Sequence, residues 1–346
     1  MRRPMITLAA IDPDRRLTVT VSEVPAPRPG EVTVDVAYNG VCGSDLHLLF
    51  DAPDPLVGHV LGHEFSGVLR AIGDGVTGHR PGDRVVILPI DPCGVCQACT
   101  GGGDSAVCVT GLAGGPGIGR PGGLAATVAV PASMVHGVPD GLSLREAALT
   151  EPLAVAMRGV AHAGLQSGDS VVVAGAGPIG LLTVEALHAR GIDRILVVEP
   201  NPERRARASR FGVEVSSPDD ALSAAAGLDD ANVRAVIECS GHPDVIDLGV
   251  NLLGYGGRLV VVGVHSMPAS VHLLAMSVKE VTVVGSTAYS AADFAAALDA
   301  LAAGLVDTTA LITSVVGLPE ANAKVVELHG GASGDVKVLI SHGLAE

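Results

Sequence analysis

The chain has 346 residues, 48% hydrophobic and 17% charged, which is enough apolar material for two packed domains and rules out a disordered polyelectrolyte. Its 22 basic residues against 37 acidic ones leave a net charge of −15 with no basic run to offset it, which excludes a nucleic-acid-binding surface. The longest stretch free of Asp, Glu, Lys and Arg, residues 259–278, carries His265, Pro268 and His272 and reads as two strands and a turn, not as a membrane helix.

In chain order, Met1-Arg2-Arg3 leads into an apolar run that meets Asp12 within a few residues. That is shorter than a secretory signal needs, so a cytoplasmic protein is expected. Short alternating runs broken by Gly and Pro follow, among them 32–38 and, after the turn Pro81-Gly82-Asp83, 84–88. They predict a mostly β domain, placed over residues 1–152. Apolar strands then recur at 171–173, 195–198, 235–237, 259–262 and 281–284, with helical Ala- and Leu-rich segments between several of them. This is the pattern of a parallel sheet buried on both faces, over residues 153–286. The remaining segment, 287–346, holds an Ala-rich helix from Ala291, a strand at 312–316, a helix near 319–329 and a last strand at 336–340.

The first strand of the parallel set runs into Gly175-Ala176-Gly177-Pro178-Ile179-Gly180. In such a turn Gly175 permits the tight bend, Gly177 lets the backbone approach a pyrophosphate, and Gly180 lets helix and strand close on each other. The helix amino terminus, at Pro178 and Ile179, then faces the phosphates. Glu199 ends the next strand nineteen residues after Gly180, where a carboxylate accepts hydrogen bonds from ribose hydroxyls and repels a ribose phosphate, so NAD is the expected coenzyme. Arg204, Arg205 and Arg207 follow on the next helix, where an arginine at the ribose would accept a phosphate and reverse that preference toward NADP. Arg204 is retained as a cofactor-binding candidate, and a solvated helix face accounts for at least two of the three.

Four of the six cysteines, Cys93, Cys96, Cys99 and Cys108, crowd into sixteen positions on a Gly-rich loop. Four thiolates suit a closed tetrahedral zinc site with no place for substrate, hence a structural one. Cys42 lies in Gly40-Val41-Cys42-Gly43-Ser44-Asp45-Leu46-His47, and some twenty residues later comes Gly62-His63-Glu64. One thiolate, one imidazole and one carboxylate make an open three-ligand zinc site with room for water or an alcohol. His59, His79, His136 and His162 are read as ordinary core or surface residues.

These motifs in this order, with Glu151-Pro152-Leu153 between the cysteine loop and the glycine turn, resemble the zinc-dependent medium-chain dehydrogenase/reductase superfamily. Glu151 in particular resembles its sorbitol and butanediol dehydrogenase branch. The resemblance runs from about residue 15 to the end and implies an α/β fold. A GroES-like β-rich catalytic domain is interrupted by a Rossmann doubly wound parallel-sheet domain, and the tail returns to the first domain. It also implies two Zn2+ per subunit, one catalytic and one structural. Cys42 and His63 are the implied catalytic ligands, and Glu64 and Glu151 compete for the third place. Asp45 would orient His63, Ser44 would take the alcohol proton and His47 would pass it to solvent.

The implied activity is NAD-dependent hydride transfer between a secondary alcohol, such as a diol, polyol or similar polar alcohol, and its ketone. An amino-alcohol, sugar or aminocyclitol substrate is the alternative. A homodimer or homotetramer is implied, with the strand at 281–284 a candidate edge. Arg158 stands where the butanediol branch commonly has His, and either selects a polar or anionic substrate group or is a surface residue. Other classes fit less. A zinc-free reductase would lack the open-site residues. A short-chain reductase needs Lys four residues after a Tyr, which none of Tyr38, Tyr255 and Tyr289 has, and a zinc-ribbon binding module leaves the glycine turn unexplained.

Overall fold

A computed structural model describes residues 4–101, 104–229, 232–331 and 333–344, so the expectation drawn from Met1-Arg2-Arg3 lies outside the described residues. The strands in chain order are β1 (Met5–Ile11), β2 (Leu17–Glu23), β3 (Glu31–Gly40), β4 (Glu64–Ile72), β5 (Arg84–Ile87), β6 (Thr127–Pro131) and β7 (Val135–Gly137). They continue with β8 (Ser170–Ala174), β9 (Arg194–Val198), β10 (Glu214–Ser216), β11 (Val233–Glu238), β12 (Leu253–Val261), β13 (Thr282–Gly285), β14 (Ile312–Gly317) and β15 (Lys337–Ser341).

The chain divides into two compact units. The first holds the chain up to Glu151, then Ser290–Ala303 and everything from Thr308; the second holds Pro152–Tyr289 and Gly304–Asp307. Residues 287–289 and 304–307, read from the sequence as part of the returning tail, therefore group with the second unit.

The first unit is the β-rich one. Its main sheet runs β14-β15-β3-β4-β5-β7, with β6 against β3, and β1 pairs with β2 separately. Val32, Val34 and Val36 of β3, Phe65 and Leu69 of β4, Val85 and Ile87 of β5, and Val338 and Ile340 of β15 are all buried in one core. Period-two spacing delivers these side chains to that interior. The register sets Gly40 of β3 opposite both Glu64 of β4 and Leu339 of β15, so the end of β3, the start of β4 and the returning strand β15 meet at one place.

The second unit is a parallel sheet of order β10-β9-β8-β11-β12-β13, the doubly wound arrangement. Every residue of β8 is buried, as expected of a central strand covered on both faces. The order reverses between β8 and β11, and ligands of such sheets bind outside the carboxyl ends of the strands at that point. Two expectations are corrected here. Residues 259–278 are not two strands and a turn: β12 ends at Val261, and after a loop the good helix formers Leu, Ala and Met make a helix, Leu273–Lys279. Nor is the strand near 281–284 buried on both faces, because β13 is the sheet edge and Val283 is 45% exposed. Among the described residues, no helix is long and apolar enough to cross a membrane.

Candidate active site and metal centres

At the meeting point in the first unit, the ligand atoms of Cys42, His63 and Glu64 all lie within 4.8 Å of one another. Cys42 caps a one-turn helix, Gly43–Leu46, and its backbone N–H donates to Asp45 Oδ2 at 3.0 Å. The other oxygen, Asp45 Oδ1, sits 3.5 Å from His63 Nδ1. One buried carboxylate thus ties the segments that carry the thiol and the imidazole. Burial alone would raise the Asp45 carboxyl, but the His63 ring and the Cys42 N–H hold it below the usual carboxylate value. Burial alone would lower His63, but Asp45 beside it raises the ring well above its ordinary value.

Because His63 Nδ1 faces Asp45, Nε2 is the atom left for a cation. Thiolate and imidazole donors on one tetrahedral zinc stand about 3.5 Å apart, which suits this cluster. Asp45 Oδ1 and His63 Nδ1, both buried, meet no closer partner than each other at 3.5 Å, which commits Nδ1 to Asp45 and leaves Nε2 free for a cation. The residues fit a catalytic zinc. Glu151, buried in the first turn of the helix Thr150–Ala163, lies outside the cluster of close donors. Glu64 is inside it, yet both its oxygens also accept from Lys337 Nζ, at 2.8 and 2.7 Å.

Ser44 and His47 sit on the same short stretch as Cys42, and both are half-buried. His47 opens a wider turn, His47–Asp51, and its Nδ1 stands 2.7 Å from Asp51 Oδ2, which leaves Nε2 as its working atom. Arg15 adopts the left-handed region, φ 59°, and its guanidinium donates to the carbonyls of Leu49, Phe50, Ala52 and Pro53. It therefore holds the turn that carries His47.

The cysteine loop gathers as its spacing predicts. Cys93, Cys96, Cys99 and Cys108 place their sulfurs within 4.8 Å of one another, and none is in a disulfide. The edge of a zinc tetrahedron with 2.3 Å bonds is about 3.8 Å. Here Cys96 Sγ lies 3.6 Å from Cys99 Sγ and 3.8 Å from Cys108 Sγ. Backbone N–H groups of Cys93 and Cys96 point at the sulfurs of Cys108 and Cys93, both at 3.3 Å. The backbone N–H groups of Cys93 and Thr110 lower the Cys108 thiol to about 6, whereas burial pushes Cys99 up to about 12. Four thiols this close cannot all ionise without a cation among them, so this cluster also fits zinc.

In the second unit the glycine turn has the shape its spacing demands. Gly175 takes φ 105°, and a Cβ on Gly180 would overlap the Gly175 carbonyl oxygen. Gly177 caps the helix Pro178–His188, and a Cβ there would meet no protein atom, so the space above it is open to a ligand. Buried Glu199 accepts from Ala176 N–H within the turn and from Asn201 N–H, both at 2.9 Å, which fixes its carboxylate beside the glycines. Arg205 donates to the Glu199 and Pro200 carbonyls and closes the end of β9. The Arg204 backbone N–H is taken by Asn201. Arg158 Nε donates to His162 Nε2 at 3.0 Å, one turn along its own helix.

Sequence reasoning overlooks Glu238, a fully buried carboxylate ending β11. It accepts from Ser240 N–H and O–H at 2.6 Å and from Gly241 N–H at 2.8 Å, and its other oxygen stands 2.9 Å from His265 Nε2. It braces the loops after β11 and β12, and a Cβ on Gly175 would press against Ser240. The acidic residue within an apolar strand is the signal that could have found it.

Two family models match the chain: the alcohol dehydrogenase GroES-like domain over residues 28–140 and the zinc-binding dehydrogenase over 178–303. A 2-dehydro-3-deoxy-L-galactonate 5-dehydrogenase from Pseudoalteromonas atlantica is 36% identical over 91% of this chain and 92% of its own. The crystal structure of 2R,3R-butanediol dehydrogenase from Bacillus subtilis superposes with a TM-score of 0.87 at 30% identity, covering 98% of this chain and 99% of that one. An alcohol dehydrogenase from E. coli CFT073, solved with NADH, gives a TM-score of 0.89 at 28% identity over 97% and 99%. A GroES-like unit with an open cysteine–histidine cluster, a doubly wound unit with its glycine turn, and these relatives agree, and the chain belongs to the zinc-dependent medium-chain dehydrogenase/reductase family, as an NAD-dependent oxidoreductase of its polyol dehydrogenase branch.

Proposed function

We propose that the open cluster of the first unit binds Zn2+ through Cys42, His63 and a carboxylate, Glu64 or Glu151, and that the enzyme interconverts a secondary alcohol of diol, polyol or similar polar type and its ketone. The observation that carries this reading is the convergence of Cys42, His63 and Glu64 within 4.8 Å, with Asp45 hydrogen-bonded to the Cys42 N–H and facing His63 Nδ1 at 3.5 Å. When bound, zinc supplies Lewis acidity that brings an alcohol hydroxyl toward a neutral pKa.

The remaining work belongs to side chains. Asp45 keeps the His63 ring turned so that Nε2 faces the cation. Ser44 accepts the alcohol proton and hands it to His47 Nε2. Asp51 on Nδ1 orients that ring, and its half-exposed position lets the proton leave to water. Gly175, Gly177, Pro178, Ile179 and Gly180 cradle the pyrophosphate of NAD, with Glu199 and Arg204 at the ribose. Relatives that act on butanediol, on xylulose and on a sugar acid support the diol and polyol substrate class. The enzyme works in the cytoplasm as a homodimer or homotetramer, for which the exposed edge strand β13 offers a pairing surface.

The test is Cys42→Ala. Zinc should fall from two equivalents per chain to one, and turnover followed by NADH absorbance should fall roughly a thousandfold or more. Retained turnover refutes the site. A panel of diols, polyols, amino alcohols and cyclitols decides the substrate class, and a preference for amino alcohols would favour the alternative.

A further inference from the structure

The turn that carries His47 is gripped by a residue with a strained backbone. Arg15 lies in the short connection between β1 and β2, at φ 59°. Among the described residues, only Arg15 and Glu280 enter the left-handed region without being glycine, a conformation that side chains avoid unless their surroundings impose it. The Asp12 carboxylate imposes it here. Its Oδ1 accepts from the Asp14 and Arg16 N–H groups and its Oδ2 from the Thr18 hydroxyl, all at 2.9 Å. The connection is tied at both ends as well: Ile11 exchanges backbone bonds with Gly58 and His59, and the Leu17 N–H donates to Asn322 Oδ1 at 2.8 Å. Arg15 therefore reaches out from a fixed base.

Its guanidinium meets the far end of the His47 turn. That turn, His47–Asp51, is of the wide π type, which is rare and found mostly at functional sites, and the carbonyls that end a helical turn lack partners within it. Nη1 donates to the Leu49 and Phe50 carbonyls, both at 3.3 Å, and Nη2 to those of Ala52 at 2.6 Å and Pro53 at 3.3 Å. These acceptors flank Asp51 on both sides, and Asp51 Oδ2 is the atom 2.7 Å from His47 Nδ1. Phe50 is pinned too, its ring stacked on that of His329 with centroids 4.3 Å apart. A planar fork of N–H groups can span four carbonyls, whereas the compact ammonium of a lysine cannot.

We propose that Arg15 is a positioning residue for the proton relay: it fixes the backbone of residues 49–53, so that Asp51 keeps the His47 ring set to receive the alcohol proton. This rests on the relay reading of Ser44 and His47 above and deepens it. An Arg15 that merely stiffened the hairpin would leave the proton step untouched when removed.

The test follows the first turnover of the full-length enzyme by NADH absorbance, with NAD and butanediol, or whichever alcohol of the substrate panel is used best. Arg15→Gly accepts the left-handed backbone without steric cost and removes only the fork, so metal content, NADH affinity and KM should stay at wild-type values. Its first-turnover rate should fall about tenfold, and the solvent deuterium isotope effect on that rate should rise as proton transfer becomes limiting. Arg15→Lys, which keeps the charge and loses the fork, should behave nearly the same. His47→Gln should lose at least as much, and adding Arg15→Gly to it should cost nothing further, because nothing is left to position. The proposal is overturned if Arg15→Gly keeps the wild-type rate and isotope effect, or if its loss recurs in full on top of His47→Gln. Should Arg15→Gly fail to fold, Arg15→Lys in the same two backgrounds decides. A His47→Gln variant with wild-type rate and isotope effect overturns the relay reading and this one together, whereas a slow His47→Gln beside an unimpaired Arg15→Gly overturns this one alone.

Discussion

The two units build their candidate ligand sites by different means. In the first, side chains do the holding: a thiol, an imidazole and a carboxylate converge and are kept in place by Asp45 and by Lys337. In the second, backbone does it: the glycine turn offers N–H groups and open space, and side chains such as Glu199 and Glu238 mainly brace that backbone. A side-chain site is vulnerable to loss of a charge, and a backbone site to gain of a methyl group. The contrast predicts which change damages which ligand.

The largest effect should come from Gly180→Ala. Its new Cβ would overlap the Gly175 carbonyl oxygen, so the helix Pro178–His188 must retreat from the turn. NADH affinity should fall by roughly a hundredfold, about 2.7 kcal/mol, in a fluorescence titration, with the metal content still two per chain. Loss of zinc from this variant would break the contrast. Next comes Asp45→Asn, which removes charge from the first unit without changing shape. Open-site zinc affinity should drop about ten- to a hundredfold by chelator competition while NADH binding stays unchanged.

The smallest effect is one of acid. The Ser143 hydroxyl and N–H, with Thr308, hold the Glu146 carboxyl below its usual value. Burial would raise Asp335, but Lys324, Thr313 and Ser333 hold it low. Folded values below the unfolded ones mean stability that is present above the unfolded pKa, near 4, and is lost as pH falls through the folded values. In the second unit, burial instead raises Glu185, so acid costs that unit nothing there. Melting of the first unit between pH 5 and about 3 should therefore soften first. The double variant Glu146→Gln with Asp335→Asn should flatten that slope, at below about 1 kcal/mol per group.

What could be read from sequence follows the same contrast. The cysteine loop and the glycine turn are legible because their chemistry lies in local spacing. Cys42 and His63 become legible through the order of several motifs, since β3 and β4 pair them only in the fold. Lys337 is silent because its partner is 273 residues away. Its one trace is composition: it is one of three lysines among 22 basic residues, set in an apolar strand where a charge needs a reason. Arg15 and Asp51 are silent as well, since exposed polar residues are ordinary until their contacts are seen. The helix Leu273–Lys279 is missed because a short apolar run has no period that separates it from a strand.

The sheet order β14-β15-β3-β4-β5-β7 also dictates a timetable. The first unit cannot close its sheet until β15 has left the ribosome, and from Gly137 at the end of β7 to Lys337 is 200 positions. At about 5–20 residues per second, that is a wait of roughly 10–40 s during synthesis. The thiolate loop and all six strands of the doubly wound sheet, the last ending at Gly285, are complete before then. A nascent chain can accordingly capture its structural metal and fold its coenzyme half early, while the pocket around Cys42 matures last, when the final strand arrives.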